Sequence, residues 1–179
     1  GIIGPPPRPD TTRTRIYVSG ADAARIGSLS SLGVDFRVIP GGPGAASALK
    51  MCYASLTKGA AALAFQAFAA AQAHDVVAPL HAELALSQPA VASAAAYQAR
   101  GVGRKAYRWV GEMEEIAATF KAAGLWPRLF LEVAEIYRRI DATAGSAQDL
   151  DTIARGLLRA PKRRKTARRA GLQGRPRGA

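Results

Sequence analysis

The chain has 179 residues, 49% of them apolar and only 7% aromatic, and a net charge of +12. This length supports one domain or one domain plus part of another; a single cysteine and two histidines exclude an internal disulfide framework and weigh against a structural zinc site. Residues 1–154 hold 15 Lys/Arg and all 13 Asp/Glu, whereas residues 155–179 hold 10 Lys/Arg and no acid, so the body is nearly neutral and no large positive field drives its function.

Residues 1–40 read as α/β. Ile2-Ile3 is a short strand stopped by Gly4 and three prolines. Arg15 to Ser19 is a second strand, rich in β-formers. Ala21 to Leu32 reads as a short helix stopped by Gly33. Val34 to Ile39 alternates with period two and reads as a third strand. This is a βαβ unit or its antiparallel relative, and the pattern is that of the end of a doubly wound sheet whose beginning is missing.

Pro40 to Gly44 forms a hinge or tight loop, and helices follow. Residues 45–73 predict one helix of roughly 40 Å at 1.5 Å per residue. Pro79 and Pro89 each suit a first helical turn. Residues 107–123 place Trp109, Met113, Ile116, Ala117 and Phe120 on one stripe, ended by Gly124. After Pro127, Leu129, Val133, Ile136, Tyr137 and Ile140 repeat that spacing. Ser146 and Asp149 resemble a capping box for a last helix ending near Leu158. Residues 159–179 are basic, glycine-containing and poor in apolar residues, and read as a disordered tail.

The most informative stretch is Gly41 to Lys50, a glycine-rich loop leading into a helix with Lys50 in its second turn. A helix start offers free N–H groups and partial positive charge, which suit an anion. Ser47, Lys50, Ala54, Thr57 and Lys58 share one broad face. The bland alternative is two solvated lysines on an ordinary helix. Glu112, Glu114 and Glu115 read as a solvated acidic face with an Arg108–Glu112 pair, or as a catalytic pair. Cys52 reads as a small core residue. His74 and His81, separated by Pro79, read as residues around a turn rather than metal ligands. Gly101-Val102-Gly103-Arg104 reads as a linker. There is no Walker A motif and no G-x-G-x-x-G after a strand.

The segment Gly44 to Ala54, with Leu56-Thr57-Lys58-Gly59 after it, resembles the start of the C-terminal domain of phosphogluconate dehydrogenase-like proteins. These are relatives of 3-hydroxyisobutyrate dehydrogenase within the β-hydroxyacid dehydrogenase group. Lys105 to Ala117 is similar to a second signature of the same subgroup, and Gly1 to Ser19 resembles the last strands of the preceding Rossmann domain. The resemblance covers roughly residues 1–140. It implies a mainly α fold: an all-helical domain like the C-terminal domain of 6-phosphogluconate dehydrogenase at residues 41–158, after a short Rossmann remnant at residues 1–40. It implies that Lys50 is the catalytic acid/base and that Gly44 and Ser47 lie at the substrate. Ala54 stands where the group carries a substrate-binding asparagine, and Gly4-Pro5 falls near an altered substrate loop. NAD or NADP is the implied cofactor, although the fingerprint glycines are absent from this chain. A small hydroxyacid is the implied substrate, and a homodimer the implied assembly.

The expected function is therefore the substrate and catalytic-lysine part of an NAD(P)-dependent hydroxyacid oxidoreductase, inactive by itself. The opening carries no basic segment before an apolar one, which with the lone cysteine points to the cytoplasm; no run of about 18 apolar residues is free of polar ones, so no membrane span is expected. The rival readings are a nucleic-acid-binding protein, resting on the basic run from Pro161, and a non-catalytic helical dimerisation module. In the first reading the tail adds only weak, nonspecific attraction for polyanions.

Overall fold

The computed structural model describes residues 1–5 and 14–159, apart from the side chain of Leu32. The basic run from Pro161 lies outside these residues.

The first unit is a three-stranded sheet in the order β1-β2-β3, formed by β1 (Ile2–Ile3), β2 (Arg15–Val18) and β3 (Asp35–Val38). β1 runs antiparallel to β2, with Ile2 opposite Ile16. β2 and β3 are parallel, with Arg15 opposite Asp35 and Val18 opposite Val38. The crossover between these parallel strands is helical, as a βαβ unit requires. It is not the single helix expected over residues 21–32. α1 covers only Ala23–Gly27, and Ser28–Leu32 forms a 3₁₀ turn. Two serines accompany the change: the Ser28 hydroxyl donates to the Arg25 carbonyl at 2.7 Å, and that of Ser31 to the Ser28 carbonyl at 3.2 Å. Such local bonds compete with the α ladder.

α2 (Ala45–Ala73) has the expected length and ends. Its N-cap, Gly44, sits at φ 94°, a left-handed conformation that glycine adopts without a side-chain clash. At the other end Asp75 takes φ 57°. There the Val76 N–H returns to the Ala71 carbonyl at 2.9 Å, and the Asp75 N–H to Gln72 at 3.4 Å. This is a Schellman stop with aspartate in the place usually held by glycine. α3 (Val77–Ser87) and α4 (Pro89–Ala99) follow, the latter opened by Pro89 as expected.

α5 (Ala106–Ala122) and α6 (Arg128–Thr143) form a helical hairpin. The turn repeats the Schellman pattern, with Leu125 N–H on the Phe120 carbonyl at 2.9 Å and Gly124 N–H on Lys121 at 3.0 Å. α7 (Leu150–Arg159) packs across α2 and α6. Its start is not the capping box expected from Ser146. Asp149 itself caps the helix, its carboxylate accepting the Thr152 N–H at 2.8 Å.

The core lies where α2, α5, α6 and α7 meet. Phe65, Met113, Ile116, Tyr137, Ile140 and Ile153 are buried there, each large apolar side chain stabilising the fold by about 1.5–3 kcal/mol. The apolar stripes place most of these correctly, but Leu129 is exposed and Phe120 only partly buried. Gly101 to Arg104 is not a loose linker. Val102 is fully buried, and a Cβ on Gly103 would collide with the Gly145 carbonyl. Cys52 is exposed, contrary to the core position expected for it. It lies on the outer face of α2 with Leu49, Tyr53, Leu56, Ala60 and Leu63, none of which is buried and none of which is charged. Among the described residues no helix is long and apolar enough to cross a membrane.

Candidate functional site

The sheet and the helical unit meet at the start of α2. Ser19, at the end of β2, ties them together. Its hydroxyl accepts the Ala46 N–H at 3.0 Å and donates to the Gly42 carbonyl at 3.1 Å. The Ala45 N–H also returns to Gly42, at 3.2 Å. The first two helical N–H groups are thus engaged within the chain, and the α2 terminus is less open to an anion than its glycine-rich loop suggests. Ser19 is 27 residues from Ala46, so no local pattern announces this cap.

β1 reaches the same place. A Cβ on Gly1 would strike the Ala46 carbonyl and lie 3.5 Å from Lys50 Cβ. Lys50 therefore stands at the junction of β1 and α2, its side chain 34% exposed. Ser47 is exposed one turn before it, and Gly44 is exposed in the preceding loop. Ala54, one turn after Lys50, is packed into the core. Gly4 and Pro5 follow β1, where the Thr14 hydroxyl donates to the Pro5 carbonyl.

The residue that sequence reasoning did not join to Lys50 is Glu112. The expected Arg108–Glu112 pair does not form; Arg108 lies instead against the Tyr107 ring. Glu112 points from α5 to α2 and meets two lysines. It bonds Lys58 Nζ through one carboxylate oxygen, and Lys50 Nζ lies 3.8 Å from the other. Lys58 is held further by the Trp109 ring, whose centroid is 5.2 Å from its ammonium. Tyr137 closes the cluster from α6: its hydroxyl donates to the Lys58 carbonyl at 2.6 Å, and its ring meets Trp109 edge-on at 5.1 Å. Burial, and then the negative charge of Glu112, push the Tyr137 hydroxyl far above the usual phenol range. Glu114 pairs with Arg138 and belongs to the α5–α6 hairpin rather than to this cluster.

A cleft of about 300 Å³ lies elsewhere, lined by His81, Ala96, Arg100 and residues 148–151. His81 faces Asp151 at 3.2 Å there and tilts against the Phe68 ring, with centroids 4.7 Å apart. His74 caps the end of α2, so the two histidines flank a turn as expected. The cleft contains neither Lys50 nor Glu112, and Asp149 within it is engaged as a helix cap. The α2–α5 cluster has the chemistry, with two ammoniums and a carboxylate from separate elements, and is the better candidate. Among the described residues no group of three metal-binding side chains occurs.

Residues 71–140 match the model of the DUF1932 family, a domain of unknown function. Glu112, Trp109 and Tyr137 fall inside that segment, whereas Lys50 and Lys58 precede it. A conserved hypothetical protein from Sinorhizobium meliloti has a similar crystal structure, with TM-score 0.70 and 24% identity over 83% of this chain and 54% of that one. A second conserved protein of unknown function, described as structurally similar to 3-hydroxyacid dehydrogenases, matches with TM-score 0.63 and 25% identity, over 75% of this chain and 52% of that one. The chain thus spans about half the length of the solved structures it matches. No curated protein matches it. The expected likeness to the hydroxyacid dehydrogenase group is borne out at the level of fold.

Proposed function

We propose that this chain is the substrate and catalytic-lysine part of an NAD(P)-dependent oxidoreductase acting on a small hydroxyacid, with Lys50 as the acid/base. One observation carries the reading: Lys50 stands where the α/β unit joins the DUF1932-containing helical unit, in a fold shared with a protein likened to 3-hydroxyacid dehydrogenases. Oxidation of a hydroxyl requires a base for its proton, and reduction requires an acid to return it. A lysine amine serves the first and its ammonium the second. Ser47, the Gly44 loop and the Gly4-Pro5 turn lie on the same side of the junction in sequence and are assigned to the substrate. Ala54, packed into the core, offers the substrate no polar contact.

The described residues do not form a dinucleotide cradle. α1 has only five residues, and the first N–H groups of α2 are engaged by Ser19 and Gly42. In this reading NAD or NADP, the hydride carrier, is held outside these residues, and the chain alone is inactive. A cytoplasmic homodimer completes the proposal. Trp109, Met113, Val133 and Tyr137 cannot supply its contact, because all four are buried within one chain. The uncharged outer face of α2 can, with Leu56 at 74% and Leu63 at 71% exposure.

The test is a screen of short 2- and 3-hydroxyacids against the full-length protein with NAD and NADP, read as absorbance of the reduced nicotinamide. Turnover of at least one hydroxyacid is expected. No turnover across the panel, from folded protein that binds neither nucleotide, would overturn the assignment.

A further inference from the structure

Lys50 and Lys58 are eight residues apart on α2, about 12 Å along its axis. Their ammoniums nevertheless lie on the two oxygens of one carboxylate, Glu112. The three side chains are 34%, 21% and 15% exposed, so the cluster occupies a half-buried seam between α2 and α5. One carboxylate balances one ammonium, and the two lysines do not share it equally. Lys58 is hydrogen-bonded to Glu112, covered by the Trp109 ring and fixed at its backbone by Tyr137. Lys50, at 3.8 Å, is within ion-pair range but outside hydrogen-bond range. It is drawn toward the seam without being consumed there.

We infer that Glu112 is the positioning residue for Lys50: Lys58 takes up its charge, and its second oxygen orients the Lys50 ammonium while leaving it available to an anionic, hydroxyl-bearing substrate. The inference rests on the assignment of Lys50 to proton transfer, but it makes a claim about the two amines that needs no turnover to test. If Glu112 only glued α2 to α5, removing Lys58 would leave Lys50 unchanged or freer. If Lys58 takes up the Glu112 charge, removing it releases that carboxylate to Lys50, which then becomes less available.

The experiment is limited reductive methylation of the full chain with formaldehyde and a cyanoborohydride. Modification of Lys50 and Lys58 is followed separately by peptide mass spectrometry, and circular dichroism confirms folding. Because the amines differ in exposure, the quantity read is the change on substitution. Lys58→Met should slow modification of Lys50 at least about threefold, as a single ion pair tightens at a half-buried site. Glu112→Gln should speed modification of Lys58 at least about threefold and narrow the difference between the two lysines. A Lys50 rate that is unchanged or higher in Lys58→Met overturns the inference, as does an unchanged Lys58 rate in Glu112→Gln. If either variant melts out, Lys58→Gln and Glu112→Met, which also remove the respective charge, give the same two comparisons. The expected amine pattern without hydroxyacid turnover would sink the dehydrogenase reading and leave the geometry standing; turnover with the opposite amine pattern would sink only the role of Glu112.

Discussion

Tyr137→Phe isolates one bond beneath the candidate site. The side chain is fully buried, and its hydroxyl reaches 2.6 Å to the Lys58 carbonyl. Phenylalanine keeps the ring and therefore the edge-on contact with Trp109. The Lys58 carbonyl stays within the α2 ladder, so no buried acceptor is orphaned. The loss is that of one net hydrogen bond, about 1 kcal/mol. In a chain of this size that lowers Tm by roughly 2–4 °C. Tyr137→Ala removes the ring as well and should cost about 3–5 kcal/mol, as other large aromatic truncations do. The bond also has a pH signature. The folded-state pKa of this phenol is raised, first by burial and then by Glu112, while the unfolded chain ionises near the ordinary value of 10.0. The folded state holds the proton more tightly, so this contribution is fully present below about pH 10 and is lost as pH rises above it. Thermal melts from pH 7 to 11 on wild type and Tyr137→Phe measure both effects. A phenylalanine variant that melts with wild type at pH 7, or a gap between the two that does not close as pH rises above 10, would refute the reasoning.

Asp149→Ala removes the α7 cap and should cost about 0.5–2 kcal/mol in a denaturant melt. The Thr152 N–H holds this carboxyl below its usual range, so the stabilisation is present above about pH 4 and fades as pH falls through the lowered value. Gly103→Ala would drive a Cβ into the Gly145 backbone, and a loss of about 1–3 kcal/mol is expected in the same melt. Leu56→Glu places a charge on the outer face of α2; sedimentation at tens of micromolar should show the wild type as a dimer and this variant as a monomer with unchanged circular dichroism.

The helices were legible where their signals were local. The start of α2 follows from the Pro40 to Gly44 loop, and the α5–α6 hairpin follows from Gly124 and Pro127 between two apolar stripes. A strand, helix and strand within about 25 residues left parallel and antiparallel arrangements open, and the structure makes β2 and β3 parallel. What was not legible depends on groups far apart in the chain or on competition too local for apolar periodicity to reveal. Ser19 caps a helix 27 residues away. Glu112 reaches Lys58 across 54 residues and so leaves its helical neighbour Arg108. The crossover splits because two serine hydroxyls bond to nearby carbonyls. Cys52 was misplaced because α2 is apolar on nearly all sides: alanine-rich sequence does not mark which face the core takes, and here the core takes the side of Met51, Ala54 and Ala61.

The central claim is that Lys50 moves the proton. Lys50→Ala in the full-length protein, assayed at saturating nicotinamide cofactor on whichever hydroxyacid the wild type turns over, tests it most directly. A fall in kcat of at least about a hundredfold is expected, the usual scale for a lost general acid/base, with the fold intact by circular dichroism. Turnover near the wild-type rate would contradict it.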